Sequence, residues 1–473
     1  MKPGFHSTLS SPRMPPRRQV RVAVVGSGIA GLAAAHTLQD LADITLYEAG
    51  DHFGGHTHTV DVTLPDAQGM PLSFGVDTGF LVLNERTYPN LLALFAQLEV
   101  PLAPSDMSFS VQVPGAGPRG DALEWSGSDL ASVFAQKRNL ANPRFLRMLT
   151  DIVRFNRITT RLAERGEDLR PDSPLLQPLG DFLRQHRFSH EFRDWYFLPM
   201  LGCIWSCPTD QMLAFPVATM VRFCHNHGLI QLSNRPQWYT VPGGARQYVL
   251  KIIERMGDLR LGTPVQQVLR DESGVRVITQ GQVDRFDAIV IACHSDQALR
   301  VLGAQATPAE REVLGAIRYQ PNRAVLHTDA SVLPENPRAW AAWNYERSAS
   351  AGAESAGVCL HYLINRLQPL PVSQPVLVSL NPQREINPTK VFGEYDYEHP
   401  VFDLGAIRAQ AAVPTLQGQG HTWFAGAWTG YGFHEDGLKS GLQAARGLID
   451  ALGLVSVPAD RERRIAALPG VFG

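Results

Sequence analysis

Val20-Arg21-Val22-Ala23-Val24-Val25-Gly26-Ser27-Gly28-Ile29-Ala30-Gly31 opens the folded part of the chain, and Asp43-Ile44-Thr45-Leu46-Tyr47-Glu48 follows a short way on. The first six residues form the β-branched run of a buried parallel strand. Leu32 to Leu41, rich in Ala and Leu, predicts a helix, and the second quoted run predicts a strand that ends on an acid. Together they make a βαβ unit of about thirty residues with a Gly-x-Gly-x-x-Gly turn. Gly26 permits the tight turn, Gly28 lets backbone approach a pyrophosphate, and Gly31 lets helix and strand pack closely. Unpaired N–H groups at the helix N-terminus, with its dipole, favour an anion. Glu48 is placed to accept from a ribose hydroxyl and would repel a 2′-phosphate, which argues against NADP.

Outward from this unit, the chain has 473 residues, enough for two domains or one large discontinuous protein. Hydrophobic residues make up 44% and charged residues 19%, a globular composition. Its formal net charge of -2 excludes a global basic field for nucleic acid. Five scattered Cys cannot build a dense disulfide scaffold, and the odd number favours a reducing compartment, hence a cytoplasmic protein. No run approaches the ~18 apolar residues of a spanning helix, which leaves a peripheral contact with the inner membrane face open. Arg17-Arg18 precedes an apolar run too short for an export signal, so residues 1–19 read as a disordered tail.

Further strands are expected at Pro264–Arg270 and Gly274–Ile278 around the turn Asp271–Ser273, at Phe286–Cys293, and at Thr422–Gly426 ahead of a helix Leu438–Leu452. Residues 104–237 are richer in helical patterns, Arg and aromatics, whereas 307–414 mix short strands with Pro-rich turns. The simplest account is a nucleotide domain in three segments (20–103, 238–306 and 415–455), a substrate domain in two (104–237 and 307–414), and a C-terminal tail at 456–473. FAD is favoured over NAD because further Gly turns can wrap a longer cofactor. They are Gly54-Gly55-His56-Thr57 after Glu48-Ala49, Thr78-Gly79, and Gly426 with Gly437 and Leu438 near the end. No Cys stands in an attachment context, so FAD is expected to bind non-covalently.

These pieces, with Pro242-Gly243-Gly244, the Val265 region and Phe424-Ala425-Gly426, resemble the flavin-dependent amine oxidase and phytoene desaturase superfamily in order and across nearly the whole chain. The chain looks most like a bacterial branch of NAD/FAD-binding oxidoreductases with Gly-Gly-His-Thr in place of Gly-Gly-Arg. Genes of that branch often lie near cyclopropane-fatty-acid-synthase-like enzymes. The resemblance implies an α/β fold with a Rossmann-type FAD-binding domain and a discontinuous α+β substrate domain. It further implies that Glu48 holds the adenosine ribose, that Gly26, Ser27, Gly28 and Gly31 hold the pyrophosphate, that Val265 meets the adenine, and that Gly437 lies near the flavin. Where amine oxidases keep a cage tyrosine, this chain has Phe433 or His434.

Candidate chemistry is correspondingly sparse, because flavin itself accepts the hydride. Trp428 and Phe433 either wall the pocket or fill core. His434 is a base, a helix cap or a flavin contact; Glu435 and Asp436 read as caps of the last helix. His56 and His58 are expected to meet phosphate or ring, and His294 to precede an N-cap at Ser295 or Asp296. Cys203 and Cys207, near Cys224, His225 and His227, have metal-like spacing in apolar surroundings that favour inert thiols; no metal is expected. Trp195–Leu201 with Phe215–Val217 is the expected roof of a hydrophobic tunnel, or else simply core. The leading expectation is hydride transfer from a hydrophobic small molecule, above all an acyl-lipid or fatty-acid chain, to flavin. Amine oxidation and a non-catalytic flavoprotein that binds lipid or a partner are the alternatives; oligomeric state is left open.

Overall fold

A computed structural model of the chain describes residues 19–164, 176–205, 208–230, 236–347 and 358–454. The two terminal tails and Cys207 therefore lie outside the described residues, apart from Gln19 at the edge of the first.

Five parallel strands form the central sheet, in the order Asp258–Arg260, Asp43–Tyr47, Arg21–Val25, Ala288–Ile291 and Thr422–Phe424. Strands far apart in the chain thus meet in one sheet. The apolar runs explain it: Val22, Ala23 and Val24, and Ile289, Val290 and Ile291, are fully buried, as strands covered on both faces must be. Ile29–Leu38 follows the glycine turn, three residues earlier at each end than its Ala/Leu composition suggests, because Gly28 already serves as its N-cap. The closing helix, His434–Leu452, lies against it. Close approach of the two depends on small residues. A Cβ on Gly31 would collide with the Gly26 carbonyl, and one on Gly441 with the Ala30 carbonyl.

Several predicted boundaries shift for identifiable reasons. The strand near Val265 covers only Gln267–Asp271, pairing antiparallel with Gly274–Thr279, so Val265 belongs to the approach. Phe286 ends another antiparallel strand, Gln282–Phe286, and the parallel strand starts at Ala288. The closing helix begins four residues before Leu438, which puts Gly437 inside it. A hydrophilic first turn, His434-Glu435-Asp436, hid that start.

The second region is built on a seven-stranded sheet, ordered Val391–Val401, Arg318–His327, Leu377–Leu380, Cys359–Leu363, Trp343–Glu346, Phe109–Val113 and Leu123–Ser126. Helices from Pro143 to Asn226 pack beside it around Phe145, Phe155, Phe192 and Phe197. One face of this sheet turns Trp343, Tyr362 and Leu380 to the main cavity. Its other face carries a buried polar chain. Asp329 N–H donates to His327 Nδ1, so Nε2–H of His327 donates to Ser379 Oγ; Ser379 in turn donates to His361 Nδ1, and His361 Nε2–H to Glu346. Glu346, Cys359 and His361 lie within metal-ligand distance of one another, but the Arg384 guanidinium already neutralises the carboxylate at 3.0 Å. The chain is thus internally satisfied and lies apart from the cavity.

Candidate active site

A cavity of about 710 Å³ runs from the glycine turn into the second region. At the nucleotide end it is bounded by Gly26, Ser27, Gly28, Ile29 and Ala30, by Glu48 and Ala49, and by Val265. Gly26 has φ +99° and its N–H donates to the Tyr47 carbonyl at 2.8 Å, closing the turn between the two strands. No side chain caps the following helix, so its first N–H groups remain open to an anion. A Cβ built on Gly28 would meet no protein atom, because it points into the cavity. On Gly55, φ +57°, a Cβ would meet the Gly28 Cα at 3.1 Å, so the second glycine pair folds directly over the first.

This cradle fits the pyrophosphate of FAD. An uncapped helix start, backbone stripped of side chains and a buried, unpartnered His56 Nε2 all offer polar contacts without protein partners. His56 has its pKa pushed well below the ordinary histidine value, first by burial and then by His399, His294 and His434. It therefore contributes a neutral hydrogen-bonding group rather than the fixed cation of an arginine. Glu48 Oε2 accepts from the N–H and hydroxyl of Ser27, and Oε1 from Gly50 N–H. Its carboxylate thus holds the turn as well as facing the cavity.

Other sequence-predicted site residues stand behind the cavity. Gly31 and Gly437 are packing positions; a Cβ at Gly437 would meet Ile29 Cγ2 at 2.7 Å. Leu438 is buried in the core. Thr57 Oγ1 is hydrogen-bonded to Tyr248 OH at 2.5 Å and to His434 Nε2 at 3.0 Å. By contrast Gly54, Gly55, His56, Thr78, Gly79 and Gly426 do line it.

Of the three candidates near the ring, Trp428 donates from Nε1 to the Cys293 carbonyl and is buried, forming a fixed wall. Phe433 is stacked on Phe223 at 5.0 Å. His434 is locked: its ring stacks on Phe80 at 3.8 Å, and Nε2 is engaged by Thr57 and by Tyr248 OH at 2.8 Å. Burial lowers its pKa to about 3, so it is neutral, and the geometry gives it a positioning part rather than a free base.

Both acids after it are caps, but of different helices. Asp436 accepts from the N–H groups of Tyr431 and Phe433 at the start of its own helix. Glu435 instead accepts from Asn90 and Leu91 N–H, capping the helix Pro89–Gln97. His294 is itself the N-cap residue of Ser295–Leu302, with its ring stacked on Tyr319 at 4.3 Å, so neither Ser295 nor Asp296 caps it. His58 contacts Tyr397 OH and Thr78 and does not line the cavity.

The far end is aromatic. Trp205, Phe223, Leu229, Trp238 and Phe433 line it. Trp195–Leu201, Phe215 and Val217 are core, so the roof begins later than the apolar run suggested, at Cys203–Trp205. Burial raises the thiol pKa of Cys203 well above its ordinary value and that of Cys224 to about 12, which suits inert thiols. His227, weighed in the sequence only as a metal partner, lies on the cavity wall. It stacks on Phe223 at 3.9 Å, and its Nδ1 donates to the Phe223 carbonyl at 3.0 Å. Since a carbonyl only accepts, that bond leaves Nε2 with a free lone pair in the neutral ring. Tyr397 and His399 were missed as well. They belong to the strand Val391–Val401, whose alternation Glu394-Tyr395-Asp396-Tyr397-Glu398-His399 is a period-two signal that sets aromatic and acidic side chains on opposite faces, with Tyr397 and His399 on the cavity and Glu398 at its edge.

Residues 29–348 match the family model described as flavin containing amine oxidoreductase, more than half of the chain. Among curated proteins, AofH of Mycobacterium tuberculosis, named for flavin-containing monoamine oxidase activity, is 28% identical over 287 residues, 57% of this chain and 56% of that protein. The carotenoid phi-ring synthase of Streptomyces griseus is 28% identical over 306 residues, 60% of this chain and 54% of the relative. The matches therefore span little more than half the length of these relatives. Solved structures share the fold along nearly the whole chain. Cyclohexylamine oxidase from Brevibacterium oxydans IH-35A superimposes with a TM-score of 0.62 at 19% identity, covering 92% of this chain and 100% of its own. A CLA-producing fatty acid isomerase from P. acnes gives 0.62 at 15% identity, covering 91% and 98%. With its glycine cradle and this family match, the chain belongs to the flavin containing amine oxidoreductases, and its cofactor is FAD.

Proposed function

We propose that the protein is an FAD-dependent oxidoreductase that desaturates an apolar carbon chain, the acyl chain of a lipid or fatty acid. One observation carries this reading. Among the described residues, the aromatic end of the cavity holds no carboxylate to receive a substrate ammonium. The cavity's acids are elsewhere: Glu48 is tied to Ser27, and Glu398 approaches His294 at 3.6 Å. Desolvating an unpaired ammonium is costly, whereas each buried CH₂ of a chain gains about 0.8 kcal/mol.

When bound, FAD supplies the hydride acceptor. The protein's part is to hold the chain between aromatic walls, exclude water and take the proton. Desaturation removes a hydride from one carbon and a proton from its neighbour, and the electron pair left by the proton becomes the double bond. His227 is the residue assigned to that proton. Its Nδ1–H is fixed on the Phe223 carbonyl, Nε2 keeps its lone pair, and burial lowers its pKa to about 4, which keeps the ring neutral at pH 7. Similarity to the carotenoid phi-ring synthase supports an apolar substrate.

Amine oxidation to aldehyde, ammonia and hydrogen peroxide is the second reading, favoured by the family model and by AofH. Anaerobic mixing with unsaturated or methylated fatty acids and phospholipids is expected to bleach the flavin absorbance. Bleaching by amines alone would reverse the order of the two readings.

A further inference from the structure

We propose that the outer face of the helix Pro143–Glu164 docks the protein on an anionic lipid bilayer. This helix buries one face completely, through Phe145, Met148, Phe155 and Thr159. Its opposite face bears two parallel stripes. Leu146 and Val153, seven residues and hence two turns apart, are 41% and 46% exposed. Beside them Arg147, Arg154 and Arg161 repeat at the same interval, flanked by Arg144 and Arg157, all exposed. Leu140, 58% exposed, extends the apolar surface from the turn Lys137–Ala141, which packs against the helix start. Arg184 and Arg187 add cations on the neighbouring turn, held there by the Arg154 guanidinium, which donates to the His186 and Arg187 carbonyls.

Internal pairing accounts for only part of this charge. Arg144 pairs with Glu191, Arg154 with Asp151 and Arg184 with Asp181. Among the described residues Arg157 and Arg161 are not in an ion pair, and Arg147 acts on Glu191 only at longer range, behind Arg144. Glu164 is the one exposed acid on the helix. Arg154, Arg157 and Arg161 stand three and four residues apart, a like-charge spacing that disfavours a helix in water. An anionic surface removes that repulsion.

The mixture of residues selects the occupant. A nucleic acid would satisfy the arginines and leave Leu140, Leu146 and Val153 wet. An anionic bilayer takes both, with phosphates at the guanidinium groups and aliphatic side chains at the acyl boundary. Arginine stems lie along such a boundary while their heads stay hydrated. The helix packs on Val217–Asn226, whose Phe223 lines the cavity, so docking places lipid one helix layer from the apolar end. The proposal does not depend on the substrate, because binding is read without turnover.

The test is co-sedimentation of the FAD-loaded protein with vesicles of phosphatidylglycerol and phosphatidylcholine, against phosphatidylcholine alone. Binding is expected only to the anionic vesicles, weakening with salt. The triple variant Arg154→Glu, Arg157→Glu, Arg161→Glu should lower partitioning at least about 100-fold. Leu146→Ser with Val153→Ser should lower it about tenfold at unchanged charge. Retained flavin absorbance shows that each variant is folded. The proposal is overturned if the wild type does not sediment, binds both vesicles equally, or binds unchanged after charge reversal. It is likewise overturned if the charge reversal dissolves an oligomer of this chain that does not bind vesicles.

Discussion

The two ends of the cavity are built on opposite plans. At the nucleotide end the contacts are backbone, offered by Gly26, Gly28 and Gly55 and by an uncapped helix start. At the aromatic end the contacts are side chains on separate elements: Trp205, Phe223, Trp238 and Phe433. Backbone contacts depend on local conformation, which a short motif specifies, and they suit a cofactor that is the same throughout a family. Side-chain walls depend on how distant segments pack, and they can change with the substrate while the cradle stays.

The largest effect expected from breaking this division is at the cradle. Gly28→Val should give colourless, folded protein, because the new side chain enters the cavity without striking protein. Full flavin absorbance in that variant would place the cofactor elsewhere. At the other end, His227→Gln should keep flavin and lower the rate of flavin reduction by lipid about 10²–10⁴-fold, the range for loss of a general base. If that rate is unchanged while KM rises, His227 only shapes the wall.

Between the ends lies the closing helix, and its predicted effect is structural. Glu435→Ala leaves Asn90 and Leu91 N–H groups without their acceptor and should cost about 1–3 kcal/mol in denaturant unfolding. A cost below a few tenths would mean that water replaces the carboxylate.

The smallest predicted effect is a pH response. Burial keeps His58, His227, His327 and His399 neutral with pKa values of about 4, and His434 with about 3; it also holds His56, His294 and His361 below the ordinary value. Unfolded histidine titrates near 6.5, so the folded state binds fewer protons in between. The stabilisation is complete above about pH 6.5 and is lost as pH falls toward 4. Asp77 and Asp436, raised by burial to about 7 and about 6, act in the opposite sense. Burial raises Glu435 as well, and with eight such rings against three carboxyls among the described residues, Tm should fall by a few degrees or more from pH 7 to 5.5. A rise over that range would show that the carboxyls dominate.

Much of the cradle was legible because its logic is local. Gly-Ser-Gly-Ile-Ala-Gly between a β-branched run and an Ala-rich helix specifies turn, helix start and strand packing within one stretch. The packing role read for Gly31 and the open approach read for Gly28 both hold, but legibility stopped at Gly437, which was expected near the flavin and instead packs against Ile29. Glu435 looked like a cap of its own helix and caps another, because only folding brings Asn90 beside it. His434, which the sequence left open between base, helix cap and flavin contact, is locked by Thr57 and Tyr248.

By itself, then, the sequence determined the βαβ unit and its glycine turn, which follow from neighbouring residues whose backbone conformation and hydrophobic period need no distant partner. The family came from a resemblance of motifs spread along the chain, which the family match bears out. Tertiary structure alone decided that His227 stands at the aromatic end of the cavity with its Nδ1 tied to Phe223, where the aromatic wall begins, and which arginines share one exposed face. Those properties arise from burial and from contacts across tens to hundreds of residues, as when Thr57 meets His434, and no local pattern encodes them.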